Sequence, residues 1–189
     1  MKLLHSIFFC VFTISSIAYA DILPQWNIIP TESSISFTGT QNGAPVTGSF
    51  KSFTGTVIAD PIKYQDSSID IIVQTGSLSV SYAELANILV TPDWFNVKEF
   101  PKAEFKATKF NKIDNSTYQA IGDLTIKNKS APATFTFTAI ESSKNHWIVT
   151  GHATIKRSAF SVGIGEWANT DVVKDDVIIN FKIAVIPKS

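Results

Sequence analysis

From about residue 34 onward apolar side chains recur at every second position, which restricts the chain to strands whose two faces meet different surroundings. Ile35, Phe37 and Gly39 open the series, followed by Ile69, Ile71, Val73 and by Ala103, Phe105, Ala107. Tyr118 to Ile126, Ala133 to Ala139, Trp147 to Ile155 and Val177 to Val185 continue it, with polar or threonine-rich residues between. Turn chemistry separates the runs at Gln41-Asn42-Gly43, Asp60-Pro61, Asp114-Asn115-Ser116, Asn128-Lys129-Ser130 and Lys144-Asn145-His146. The pattern predicts an all-β meander of about eight antiparallel strands, and a sheet of that size closes on itself and so loses its exposed edges. Two long connections interrupt it. Between Ser81 and Val97 the spacing of Ala83, Leu85, Ala86, Ile88 and Leu89 predicts a short helical insert ended by Pro92, and the second connection runs from Ser158 to Lys174. No repeat, linker or low-complexity tract divides the chain, so residues 21–189 read as one domain.

The first twenty residues have a different character. Lys2, an apolar stretch from about Ile7 to Ile17, and the small-residue triplet Ala18-Tyr19-Ala20 have the order of a secretory signal peptide cleaved after Ala20. The apolar run is too short to cross a bilayer, for which about 20 residues are needed, so the protein is expected to be exported and not membrane-spanning. Cys10, the only cysteine, leaves with that segment. The mature chain then has no thiolate nucleophile, no disulfide and no cysteine-ligated metal. Losing Lys2 changes the basic count from 16 to 15 against 16 acids, and such a balance lacks the positive field that nucleic-acid binding needs.

What lines the closed barrel decides its use, because eight strands enclose either a side-chain core or one small ligand. Inward positions mix Phe37, Phe105, Phe135, Phe137, Trp147 and Phe181 with Gly39, Ala103, Ala120, Gly122, Ala133, Gly151 and Ala153. The small residues either leave an apolar tunnel or interdigitate with the large ones in a solid core. Candidate chemistry is sparse. His146 falls in a turn and His152 on the outer face, without metal-ligand spacing, and the acids lie in or beside turns. There is no GxSxG elbow, and Gly163-Ile164-Gly165 lacks the third glycine and the following helix of a nucleotide loop. No catalytic residue, cofactor or metal is expected. Arg157 shares a face with Ala153 and Ile155, which puts its guanidinium at the barrel mouth. There it either hydrogen-bonds a polar lipid head or braces loop carbonyls or a carboxylate such as Glu166 or Asp171.

Several motifs in order carry a resemblance: Trp26, Ser33-Ser34-Ile35-Ser36-Phe37, Val46-Thr47-Gly48-Ser49-Phe50, Phe53-Thr54-Gly55, Asp60-Pro61 and Ser77-Leu78. Trp94-Phe95-Asn96-Val97, Phe100-Pro101-Lys102-Ala103-Glu104-Phe105, Gly122-Asp123-Leu124-Thr125-Ile126 and the run from Arg157 to Trp167 complete it. From about Trp26 to Val185 the chain resembles the YceI-like family of periplasmic, polyisoprenoid-binding proteins. The resemblance implies an extended eight-stranded lipocalin-like barrel around an apolar tunnel, a periplasmic location, and a long-chain amphiphile as guest, of the isoprenoid quinone or polyprenyl phosphate type. It also suggests a homodimer. Two departures stand out: Asn128 where the family often has glycine, and Ala159 where an acidic residue is common. The second removes one carboxylate partner for Arg157. The expected ligand-contacting residues are Phe37, Phe50, Phe53, Leu85, Leu89, Trp94, Phe95, Phe105, Phe135, Phe137, Phe160 and Phe181, with Arg157 near a polar head. Trp94 and Phe95 equally suit a plug that anchors the helix over the barrel. The other reading is an interaction module that uses the barrel as scaffold and presents the loops around Trp94 and Trp167 to a partner.

Overall fold

The structure is a computed structural model and describes residues 23–188. The expected signal peptide and its cleavage after Ala20 lie outside the described residues. Eleven strands form one antiparallel sheet. They are β1 (Gln25–Ile28), β2 (Ser34–Gln41), β3 (Ala44–Phe50), β4 (Phe53–Ile58), β5 (Ser68–Gln74), β6 (Leu78–Val80), β7 (Lys102–Lys112), β8 (Thr117–Ile126), β9 (Lys129–Ser143), β10 (His146–Lys156) and β11 (Asp176–Pro187). One short helix, α1 (Ala83–Leu89), follows β6. The strand order is β1-β4-β5-β7-β8-β9-β10-β11-β2-β3-β6, and β1 also pairs with β11, so the sheet closes.

The eleven strands make the expected eight staves of a barrel, because three staves are broken partway along. β11 carries β1 at Val185 to Pro187 and β2 at Ile178 to Lys182, so β1 and β2 are two lengths of one stave. β3 and β4 form the second, and β5 and β6 the third. Pro30 explains the first break, since it has no N–H to give to a ladder, and a 3-10 turn occupies Pro30–Glu32. The ladder is repaired by a side chain: the Ala184 N–H donates to Ser33 Oγ at 2.9 Å, and Ser33 Oγ donates to the Ile29 carbonyl at 2.7 Å.

Two tight hairpins at the upper end rely on left-handed residues, as two-residue loops do. Asn42 and Gly43 have φ of 50° and 78°, and Lys127 and Asn128 have 51° and 56°. Asn128 takes the geometry expected of it, but the turn lies one residue earlier than the sequence suggests. Lys129 pairs with Ile126 and belongs to β9. A bulge at Thr108 shifts the register of β7, so that Ala107 faces Gly122 while Lys109 faces Ile121. The inward series therefore steps from Ala107 to Phe110 and keeps both buried. Gly122 is required beside this bulge, because a Cβ there would run into the backbone of Lys106 and Ala107. The upper end also carries α1, the segment 90–101 and the long connection from Arg157 to Asp175. The lower end carries the Lys144-Asn145 hairpin and both ends of the described chain.

An apolar tunnel as candidate functional site

The inward faces leave the barrel partly empty, which decides between the tunnel and the solid core. A cavity of about 740 Å³ runs from the upper rim down to Val57, Val149 and Val185. That is within the size range of sites that enclose a small molecule. Below it Trp26 and Trp147 meet edge to face at 6.4 Å, with Trp26 Nε1 donating to the Ala59 carbonyl at 2.8 Å. The rim comprises Gln41, Pro45 and Val46 of the first hairpin, Ser81, Tyr82 and Glu84 at the start of α1, and Lys174.

Aromatic rings form two stretches of the wall. Phe37 meets Phe50 at 5.8 Å, Phe50 meets Phe95 at 5.8 Å, Phe105 meets Phe135 at 4.4 Å, and Phe135 meets Phe181 at 6.0 Å. Small residues contribute less room than their size suggests. At Gly151 the position of a Cβ is taken by Phe137 and Phe181, and only Gly39 among the inward glycines faces open space.

Of the residues expected from sequence, Phe37, Phe50, Leu85, Leu89, Trp94, Phe95, Phe105, Phe135, Phe137, Arg157, Phe160 and Phe181 line the cavity. Phe53 does not: it is buried in a cluster with Ile35, Ile183 and Val185. Sequence reasoning favoured rings and passed over the aliphatic wall of Ile69, Ile71, Val73, Ile155 and Ile179, although the same period of two marks it. Trp167, also on the wall, lies 5.7 Å from Trp94. The two indoles cover each other, Trp94 is buried, and both close the upper end as a plug.

Of the two readings of Arg157, its hydrogen bonds match the bracing of loop carbonyls. It is 3 % exposed and all five of its N–H donors are taken by backbone carbonyls. Nε donates to Lys174, Nη1 to Val162 and Gly163, and Nη2 to Trp167 and Val173, at 2.6–3.2 Å. Burial pulls this guanidinium below its ordinary range, and Asp175 works against that pull. Neither Glu166 nor Asp171 is its partner, and the loss of an acid at position 159 is immaterial because carbonyls do the work. Asp175 braces the same loop by accepting from the Ser158 N–H and Oγ, each at 2.9 Å. Burial raises its carboxyl, but those bonds, with Lys156 and Arg157, hold it below the ordinary carboxylate range.

The segment 90–101 and the connection from Arg157 to Asp175 cover the upper end as a lid, which Lys127 ties to the barrel. Its Nζ donates to the carbonyls of Pro92 and Ser161 at 2.9 and 2.8 Å, while Lys129 Nζ donates to Ser161 Oγ. The N–H groups of Gly163 and Ile164 both donate to the Asp93 carbonyl. Thr75, 1 % exposed, donates through Oγ1 to the Phe100 carbonyl and through its N–H to Pro101. The segment after α1 is thus fastened at several points, whereas the residue before α1, Tyr82, is 70 % exposed.

One constellation was missed. His146 begins β10 and is not a turn residue: its Nδ1 lies 2.6 Å from Ser142 Oγ and its Nε2 3.0 Å from Glu32 Oε2. Glu32 is remote in sequence, so spacing could not have shown the row. None of the three lines the tunnel, and the Ser142 hydroxyl also meets the His146 carbonyl, so the row reads as a brace between the Pro30 turn and the β9–β10 hairpin. His152 is exposed, as expected. Among the described residues no group of His, Cys, Asp or Glu could hold a metal ion, and no helix is long and apolar enough to cross a membrane.

Fold and site together define a lipocalin-like antiparallel barrel with a lidded, one-ended apolar tunnel. The sequence profile of the YceI-like domain matches residues 26–185, and the chain belongs to that family. Burkholderia cenocepacia BcnA superposes with a TM-score of 0.80 at 30 % identity, over 84 % of this chain and 99 % of that one. The Campylobacter jejuni YceI protein superposes with a TM-score of 0.67 at 19 % identity, over 95 % and 92 %. A polyisoprenoid binding domain from Saccharophagus degradans gives 0.70 at 11 % identity, over 88 % and 99 %. Among curated relatives, a UPF0312 protein of Pseudomonas putida strain W619 is 32 % identical over 100 residues, 53 % of this chain and 52 % of its own. The chain spans about half the length of the curated relatives it matches.

Proposed function

We propose that the mature domain is an exported, periplasmic carrier that holds one long-chain amphiphile, an isoprenoid quinone or polyprenyl phosphate type of lipid, inside the barrel. The observation that carries this reading is the lidded apolar tunnel of about 740 Å³. Covering an apolar chain there yields about 25 cal/mol for each Å² removed from water, so binding requires no charged anchor. Family membership supports it, and one fold relative is itself described as polyisoprenoid binding. The signal-peptide reading of the N-terminus supplies the compartment, an aqueous space in which such a chain needs cover. The alternative is an interaction module that presents the loops around Trp94 and Trp167, whose indoles lie 5.7 Å apart with Trp94 buried. A homodimer is a further expectation, to be checked by light scattering.

The test is mass spectrometry of an organic extract of protein purified from its native compartment. A near-stoichiometric apolar chain is expected, and it should be depleted in Gly39→Trp, whose new side chain enters open space at the tunnel wall. Folded wild-type protein that yields no lipid would remove the carrier reading.

A further inference from the structure

The tunnel mouth is rimmed by apolar side chains that the described residues leave uncovered. Tyr82, just before α1, lines the cavity and is nevertheless 70 % exposed. Pro45 of the β2–β3 hairpin also lines it and is exposed, as is Ala44 beside it. Val172 stands against the same hairpin: its carbonyl accepts from the Asn42 N–H at 2.8 Å, and its side chain is 40 % exposed. The charges around these residues are few and mixed. Glu84 and Lys174 lie on the mouth and Asp171 precedes Val172, all three exposed, which makes no positive field to hold the rim against an anionic surface. Elsewhere Ile62 is more exposed still, at 88 %, but it does not line the cavity. It belongs to the connection after β4, which is fastened at the lower end by the Ala59 N–H donating to the Pro24 carbonyl.

We propose that this rim is a membrane-docking surface that seats the tunnel mouth on a lipid bilayer while the guest passes between bilayer and barrel. The inference rests on the carrier reading and adds the surface through which the carrier is filled and emptied. Continuity carries it: Tyr82 and Pro45 belong both to the exposed rim and to the wall of the tunnel. A chain that left the mouth into water would expose its apolar length all at once, which the hydrophobic effect opposes. With the rim seated on a bilayer, the chain stays covered throughout. Tyr82 has the chemistry for such a seat, since an apolar ring with a polar tip suits the level where hydrocarbon meets water. Because the rim charges are mixed, apolar burial and not charge attraction drives the docking, so zwitterionic lipid suffices.

The experiment floats the mature protein with phosphatidylcholine vesicles. Separately, without vesicles, it measures uptake into the tunnel of N-phenylnaphthylamine, a neutral apolar fluorophore, as the probe. The wild type is expected to float, and added phosphatidylglycerol or salt should change the bound fraction by less than about twofold. Tyr82→Asp and Val172→Asp should each lower the partition about tenfold, the effect of one side chain withheld from apolar cover. Position 82 is the N-cap of α1, which aspartate suits, so the first variant keeps its helix. Val172 does not line the cavity, so Val172→Asp should bind the probe as the wild type does. Ile62→Asp should float as the wild type does. Flotation that needs phosphatidylglycerol, or that is lost in Ile62→Asp and kept in both rim variants, overturns the docking. A wild type that binds the probe but does not float also overturns it, and leaves the carrier reading intact. A folded wild type that takes up no probe overturns the carrier reading and this inference with it.

Discussion

Arg157 shows how a residue placed correctly by its sequence position can have a different task from the one its charge suggests. Its position at the mouth follows from alternation with Ala153 and Ile155, and it does line the cavity. What no spacing reveals is that the connection from Ser158 to Lys174 folds back and turns its carbonyls toward the guanidinium. A planar cation with five donors in fixed directions suits a ring of carbonyls better than lysine does. Arg157→Lys keeps the charge but leaves carbonyls of the buried loop unpaired. It should lower stability by about 2–4 kcal/mol, read as a denaturant midpoint shift. Where the variant is folded, probe affinity in the tunnel should stay within about twofold of wild type. An unchanged midpoint with a large loss of affinity would restore the head-group role.

At the level of elements, the hairpin between β8 and β9 props the lid. Lys127 adopts a left-handed φ of 51°, which costs a residue with a Cβ about 1–2 kcal/mol. Its two bonds to the Pro92 and Ser161 carbonyls are the compensation visible in the structure. Burial lowers its ammonium below the ordinary lysine range, with Asp93 opposing. Lys127→Met should release the lid without unfolding the barrel. Hydrogen exchange of residues 92–97 and 161–164 should quicken about tenfold, equal to about 1.4 kcal/mol of local stability, while β8 to β11 keep their protection. Uniform loss of protection across the barrel would show that Lys127 supports the whole fold and not the lid. Elements also show where alternation is a limited guide. The breaks in three staves and the bulge at Thr108 each interrupt the period of two, and each is set by a partner strand distant in sequence.

For the molecule as a whole, an empty tunnel has a thermodynamic signature. Apolar walls without a guest forgo dispersion contacts, and a guest that binds only the folded state adds stability by mass action. A lipid present at 100 times its dissociation constant adds about 2.7 kcal/mol, which in a domain of this size raises Tm by about 5–10 °C. Calorimetry of native-purified protein before and after organic extraction should show that fall, and add-back of a neutral isoprenoid should reverse it. Identical transitions would indicate that the barrel needs no guest.

The sequence by itself determined the closed barrel of eight staves, the inward face, the short helix over one end and the family. Alternation and turn residues are local signals, and each segment carries its own. Phe37, Phe50, Phe105, Phe135, Phe137 and Phe181 line the cavity from strands, where facing inward is a property of parity. Tertiary structure alone decided that the interior is a void and not a solid core. That outcome depends on which rings occupy the space beside Gly151 and which space beside Gly39 stays open, and only packing between remote strands settles it. It also decided that Arg157 is spent on carbonyls, because hydrogen-bond partners are set by where loops return in space.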